Sequence, residues 1–250
     1  DEELKILSSA FENGADWTSV RFTSIHVQTI LNILEKFSYF KKHLGDYDCI
    51  ISEGLHETNS VDKGIMKRIV AYPDYHKMEL IYSGPHFFCG NPLYKTPRES
   101  CVLNSDYDTI DLTLIADDYL PRTNYKPAIG LNEFDSLING FKLGQTDGGE
   151  NNDHWSQYYK VGFRRMIGAD SERTLSGAIL LPNCLHIGGV VSVTFKNYFT
   201  MVEFMALTTS LPLDFFVKTL KISDIHANRL HPFPLGILNV YKSAIYSRTL

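Results

Sequence analysis

The chain is short of most features that would mark a membrane-spanning, secreted or self-sufficient catalytic protein. No apolar run approaches the roughly 18 residues that a bilayer-spanning helix needs, and no secretory leader opens it. Cysteine is sparse. Cys49, Cys89, Cys101 and Cys184 form no C-x-x-C, and the nearest two are 12 positions apart. Structural disulfides are therefore not indicated, and a reducing cytoplasm is the expected compartment. No Met precedes Asp1, as expected for a piece cut from, or processed out of, a larger protein. Positive charge is also in deficit, with 24 Lys and Arg against 29 Asp and Glu, a net charge of −5. That weakens a nucleic-acid reading without excluding it, because a phosphate-binding surface needs clustered cations rather than a basic whole chain. The balance is uneven. Residues 1–149 hold 14 Lys and Arg against 22 Asp and Glu, whereas residues 150–250 hold 10 against 7.

Catalytic signatures are missing as well. There is no P-loop, no G-x-S-x-G and no H-E-x-x-H, and His56-Glu57 has no second His four residues on. Pro73-Asp74 lacks the acidic-x-Lys strand with which a nuclease would hold its metal. Asn91-Pro92-Leu93-Tyr94 resembles the Asn-Pro-Pro-Tyr motif of amino-group methyltransferases. Leu93 replaces the second proline, and no glycine-rich strand-to-helix turn precedes it, so a turn is the better reading. Asp117-Asp118 is a paired acidic site for which Arg122 is a better partner than a metal.

What is present is an ordinary globular composition, 44% hydrophobic and 21% charged, enough for a sizeable core. The spacing of Ile25, Val27, Ile30, Leu31, Ile33, Leu34, Phe37 and Phe40 predicts a helix over 24–44, with Ser24 as cap and Gly45 as stop. Strands are predicted near 48–54, 65–71, 77–82, 175–181 and 189–195, and residues 158–165 fit a strand or a helix. HETNSVDKG (56–64) reads as a polar loop, and 199–209 and 211–220 as buried helices. RLHPFPLGIL (229–238) reads as an extended segment. Strands come in runs with helices between and no βαβ rhythm. This predicts an α+β fold with a curved mixed or antiparallel sheet and flanking helices. Glycines cluster over 126–156. They suggest an N-terminal α+β unit over residues 1–135, a flexible loop over 136–156 and a C-terminal α+β unit over 157–250, or one continuous domain.

The stretch Ser83–Tyr125 carries four prolines, Pro85, Pro92, Pro97 and Pro121, which forbid regular helix around them. It predicts shaped loops that present donors to a partner. Lys95, Arg98, Arg122 and Asn124 crowd there with Tyr94, Tyr119 and Tyr125, and Arg164, Arg165 and Arg173 form a second cationic group. Arginine reads guanine, asparagine reads adenine and lysine anchors phosphate. Loop 140–156 adds Lys142, Gln145, Asn151, Asn152 and His154, all competent donors or acceptors, and a solvent loop fits it equally. Single arginines are more often salt-bridged or solvated than base-reading. These residues alone favour DNA binding over a protein-interaction surface only modestly.

A family resemblance adds to this. SGPHFF-x-GNP-x-x-KTPR-x-x-C (83–101), YD-x-IDLT-x-I-x-DDYLPRTNY (107–125), RRM (164–166) with ERTL (172–175), and SLPLDFFVK (210–218) resemble the region following the catalytic motifs in large bacterial restriction–modification adenine methyltransferases of the type IIS/IIG kind. HET (56–58) and PFPL (232–235) fit too, and the likeness runs from about Glu53 to Leu235. The resemblance implies a target recognition region. It would read double-stranded DNA beside the catalytic methyltransferase domain of the parent chain, with S-adenosylmethionine bound by that domain and no cofactor here. It also implies that the most family-like residues, Arg122 and Asn124 among them, are scaffold as readily as DNA contacts.

Overall fold

The computed structural model describes residues 2–11, 27–74, 79–87, 93–130, 155–168, 171–236 and 239–249, and single positions at 16, 18, 133, 134 and 137. The fold is α+β, with several small sheets and, among the described residues, no closed barrel. Its largest sheet has four antiparallel strands in the order β1 (Cys49–Ser52), β10 (Val190–Phe195), β7 (Lys160–Arg164) and β8 (Gly177–Leu180). Every residue of β10 is buried, as expected for a central strand covered on both faces. Its VVSVTF run supplies the β-branched side chains that such a surface packs best.

The helices, in chain order, are α1 (Glu2–Phe11), α2 (Gln28–Ser38), α3 (Glu57–Asp62), α4 (Tyr198–Thr208), α5 (Leu211–Leu220), α6 (Ala227–Leu230) and α7 (Asn239–Thr249). Of these, α4 covers the sheet and α5 packs against α4. Helix α4 starts where the Asn197 side chain accepts from Phe199 N–H at 2.9 Å. It is apolar nearly all round because it is covered on two sides. Phe204 meets Phe163 and Phe195 of the sheet at 6.0 and 5.4 Å, while Glu203 takes Lys242 of α7 at 3.2 Å. Ser210 and Pro212 start α5 a short break later. Phe216 of α5 then packs on Phe37 of α2 with centroids 4.8 Å apart. The main core runs from Leu7 and Leu34 through the sheet to Phe233 and Leu235, so segments from both ends of the sequence share it.

Several elements differ from expectation. Helix α2 begins at Gln28 with an extended Val27 as its cap, and it closes where Ser38 Oγ bonds Glu35 O. Gly45 lies in a separate 3-10 turn, Leu44–Asp46, against which the C-terminal segment packs through Gly45 N–H to His231 O. The polar stretch 56–64 contains helix α3, started by His56 accepting from Asn59 N–H. The segment predicted as extended from 229 begins inside α6, and its described residues run to Gly236. Residues 158–165 resolve as strand β7.

A parallel pair, β3 (Leu80–Tyr82) with β9 (Cys184–His186), continues through a bridge between Leu55 and Ile187. Gly54 sits at this junction with φ +74°, where a Cβ would fall 2.4 Å from His186 Nδ1. Behind it, His226 lies 3.2 Å from Glu53 and 3.4 Å from Asp224, and Asp224 pairs with Arg165 at 3.0 Å. The remaining strands are very short: β2 (Met66–Lys67) with β6 (Lys126–Pro127), and β4 (Lys95–Pro97) with β5 (Tyr107–Thr109).

Candidate functional site

Strand β3 runs into Ser83 and the 3-10 turn Gly84–Phe87, where Gly84 approaches Gly189 so closely that a Cβ on Gly189 would meet Gly84 N at 3.0 Å. His86, fully buried in this turn, spans two motifs. Its Nε2 lies 2.9 Å from Arg122 O, so that nitrogen carries the proton and Nδ1 accepts from Ser83 N–H at 3.0 Å. Ser83 Oγ is in turn 2.8 Å from Tyr107 OH. Burial pushes His86 down to about 4, outweighing the opposite pull of the carbonyls of Arg122 and Ser83. Burial likewise pushes the Tyr107 hydroxyl up to about 12.

The other motif residues knit into the same place. Arg122 N–H donates to Thr96 Oγ1 at 3.1 Å. Thr123 exchanges backbone bonds with Ala71, and Asn124 O accepts from Ile69 N–H. Tyr125 OH donates to Glu57, and Glu57 also lies 3.6 Å from Arg68. Further along, Thr174 and Leu175 N–H both donate to the buried Asp214 of α5, at 2.8 and 3.0 Å. HET, SGPHF, KTPR, the YD segment and PRTNY are thus mutually bonded although they span 70 positions of sequence, from 56 to 125.

Two clefts open here. The smaller, about 300 Å³, is walled by Glu57, Arg68, Lys95, Tyr107, Asn124 and Arg164 among others. The larger, about 560 Å³, shares Arg164 and Met166 with it and adds Arg173 and Thr174. Arg164, at the exposed end of β7, forms no ion pair among the described residues, and Met166 beside it is 66% exposed.

Of the residues singled out from sequence, Lys95, Asn124 and Arg164 line the smaller cleft and Arg173 the larger. Arg98 is held by Asp108 across β4–β5 at 2.7 Å, and Arg165 by Asp224. Arg173 donates to Thr209 O at 2.6 Å and lies 3.8 Å from Asp214. Arg122 leans over the Tyr72 ring, 5.9 Å from its centroid, rather than on Asp117 or Asp118. Lys142, Gln145, Asn151 and Asn152 lie outside the described residues, as do Asn91 and Pro92. Sequence reasoning missed Arg68, Ser83, His86 and Tyr107 as site builders. The last three sit inside the family-like motifs, and Arg68 belongs to the basic pair Lys67-Arg68, which are the signals that could have flagged them.

Deeper in, Lys160 is fully buried. Its ammonium donates to the carbonyls of Ser156, Leu181 and Cys184 at 3.1 to 3.3 Å and faces the Trp155 ring. Desolvation lowers its pKa. Cys49, Cys101 and Cys184 are free thiols. Among the described residues no group of His, Cys, Asp or Glu is arranged to hold a metal ion, and no single helix is long and apolar enough to cross a membrane. No family model matches the chain, and no curated protein matches it.

Proposed function

We propose that this chain is a cytoplasmic DNA-binding target recognition region, working beside the catalytic domain of a restriction–modification adenine methyltransferase. S-adenosylmethionine and the methyl-transfer chemistry belong to that partner domain. The observation that carries the reading is convergence: HET, SGP, Lys95 of KTPR, Tyr107, TNY, RRM and ERT, though not SLPLDFFVK or PFPL, line two adjoining clefts whose walls bring together Arg68, Lys95, Arg164 and Arg173 in a chain of net negative charge. Such a patch suits phosphate, and the duplex would lie across the exposed Arg164–Met166 rim. Arg98, Arg165 and Arg173 are partly engaged by carboxylates, which makes them positioning groups more than base readers. Loop 140–156 supplies the base contacts in this reading.

The test is fluorescence anisotropy with a randomised duplex pool at two salt concentrations, followed by sequencing of the retained DNA. Salt-sensitive binding with an enriched short motif is the expected result. Arg164→Ala should weaken all duplexes alike and flatten the salt slope by about 0.9, one phosphate contact. Replacing 140–154 with a glycine-serine linker, which spares the buried Trp155 and Ser156, should remove the sequence preference and keep the fold. Absence of binding at low salt would reject the proposal in favour of a scaffold domain that docks on the parent enzyme. The observation favouring that second reading is the exposure of the apolar side chains Val102, Leu103 and Leu114, 64 to 81% accessible.

A further inference from the structure

A buried amide oxygen without a partner belongs to a residue in the wall of the smaller cleft. Asn124 is 3% exposed, and its Oδ1 is hydrogen-bonded to nothing among the described residues. Its backbone is pinned on both sides: Asn124 O accepts from Ile69 N–H, Thr123 is paired with Ala71, and the Tyr125 hydroxyl is anchored on Glu57. Asn124 is therefore fixed by its backbone in the cleft lining. Buried polar atoms are nearly always paired, so an exception beside a cleft points to a partner supplied from outside.

The surroundings say what kind. The cleft holds about 300 Å³, room for one small ring system and its substituents. Tyr107 and Met166 line it with apolar surface. Three cations, Arg68, Lys95 and Arg164, face one carboxylate, Glu57, which already accepts from Tyr125 and pairs with Arg68. A carboxamide offers an acceptor beside its donors, the complement of a nucleobase edge, where a donor and an acceptor also lie side by side. A free guanidinium at the rim suits the phosphate attached to that base.

We infer that the Asn124 cleft takes one unstacked nucleotide, its base edge paired with the Asn124 amide and its phosphate held by Arg164. Duplex DNA binding as proposed above would supply that nucleotide, and the inference rests on that reading only for this source.

The test follows the Asn124 side-chain amide by ¹⁵N NMR while the protein is titrated with dAMP, deoxyribose 5-phosphate or inorganic phosphate, with duplex anisotropy measured in parallel. dAMP should move the Asn124 amide and bind about tenfold more tightly than deoxyribose 5-phosphate. Asn124→Ala should erase that margin and weaken duplex binding without changing its salt slope. Should that variant lose its spectral dispersion, the near-isosteric Asn124→Asp, which lacks the amide donors, should also lose the margin. Arg164→Ala should weaken all three ligands alike. Equal binding of dAMP and deoxyribose 5-phosphate, a margin that survives loss of the amide, or an unmoved Asn124 signal would each overturn the inference. Nucleotide binding at Asn124 without any duplex binding would uphold the cleft and overturn the target-recognition reading instead.

Discussion

The four-stranded sheet with α4 and α5, and the segment between Glu57 and Pro127 that builds the clefts, are held together by different means. In the sheet, long antiparallel ladders set the register, and Phe163, Phe195, Phe204 and Phe216 fill the space against the helices. In the cleft-building segment the strands are two or three residues long, and position is set by polar side chains reaching distant backbone. His86 to Arg122 O, Thr96 to Arg122 N–H, Ser83 to Tyr107 and Tyr125 to Glu57 are its cross-links. Apolar packing is non-directional and distributes strain, whereas a hydrogen bond fixes one geometry. The first region should therefore govern whether the chain folds, and the second the shape of the site.

Substitutions test that division. The largest effect is expected for Phe204→Ala, which opens a cavity between sheet and helix and should cost about 3–5 kcal/mol in urea unfolding. A loss below about 1 kcal/mol would mean that this packing does not govern folding. Lys160→Met comes next, at about 3 kcal/mol, because three charge-assisted bonds from the ammonium are lost, although Ser156 O keeps Asn183 N–H and Leu181 O keeps the Cys184 thiol. A gain in stability would show that burying the ammonium costs more than these bonds contribute.

The third effect is pH-dependent and reaches both regions. Burial holds His86 in the cleft segment and His186 on β9 near 4, below the ordinary histidine value of 6.5. The unfolded chain then binds protons that the folded chain refuses. Stability is complete above about pH 6.5 and is lost as pH falls toward about 4, by up to roughly 3 kcal/mol per histidine. Urea midpoints at pH 7.5, 5.5 and 4.5 read the sum, and imidazole NMR resonances separate the two residues. A flat profile would contradict the neutral, carbonyl-bound His86. The smallest effect is Tyr125→Phe, about 1.5 kcal/mol, with the Asn124 and Arg68 resonances shifted and those of β10 unmoved. Shifts spread through the sheet would erase the distinction between the two regions.

The sheet and its helices were largely legible. GVVSVTF and LSGAILL announce buried strands by their β-branched and apolar runs, and Pro212 marks a helix start. Helix α3 was not legible, because five of its six residues are polar and it depends on a histidine cap. The span of α2 was overestimated because apolar spacing continues past Ser38, whereas the backbone closes there on a side-chain bond. In the site, the residue types were readable but their engagement was not. Arg98 and Arg165 look alike in sequence to Arg164, yet each meets a carboxylate brought from 10 or 59 positions away. Only the fold distinguishes the exposed guanidinium from the committed ones.

Gly54 gives the junction of the Leu55 bridge with β9 a sharp tolerance to change. A side chain there would enter the space of His186, and the positive φ disfavours any L-residue as well. Gly64, also at positive φ, has nothing within 4 Å of where a Cβ would stand. In a library of variants sorted for folded protein, position 64 should return asparagine alongside glycine, while position 54 should return glycine alone.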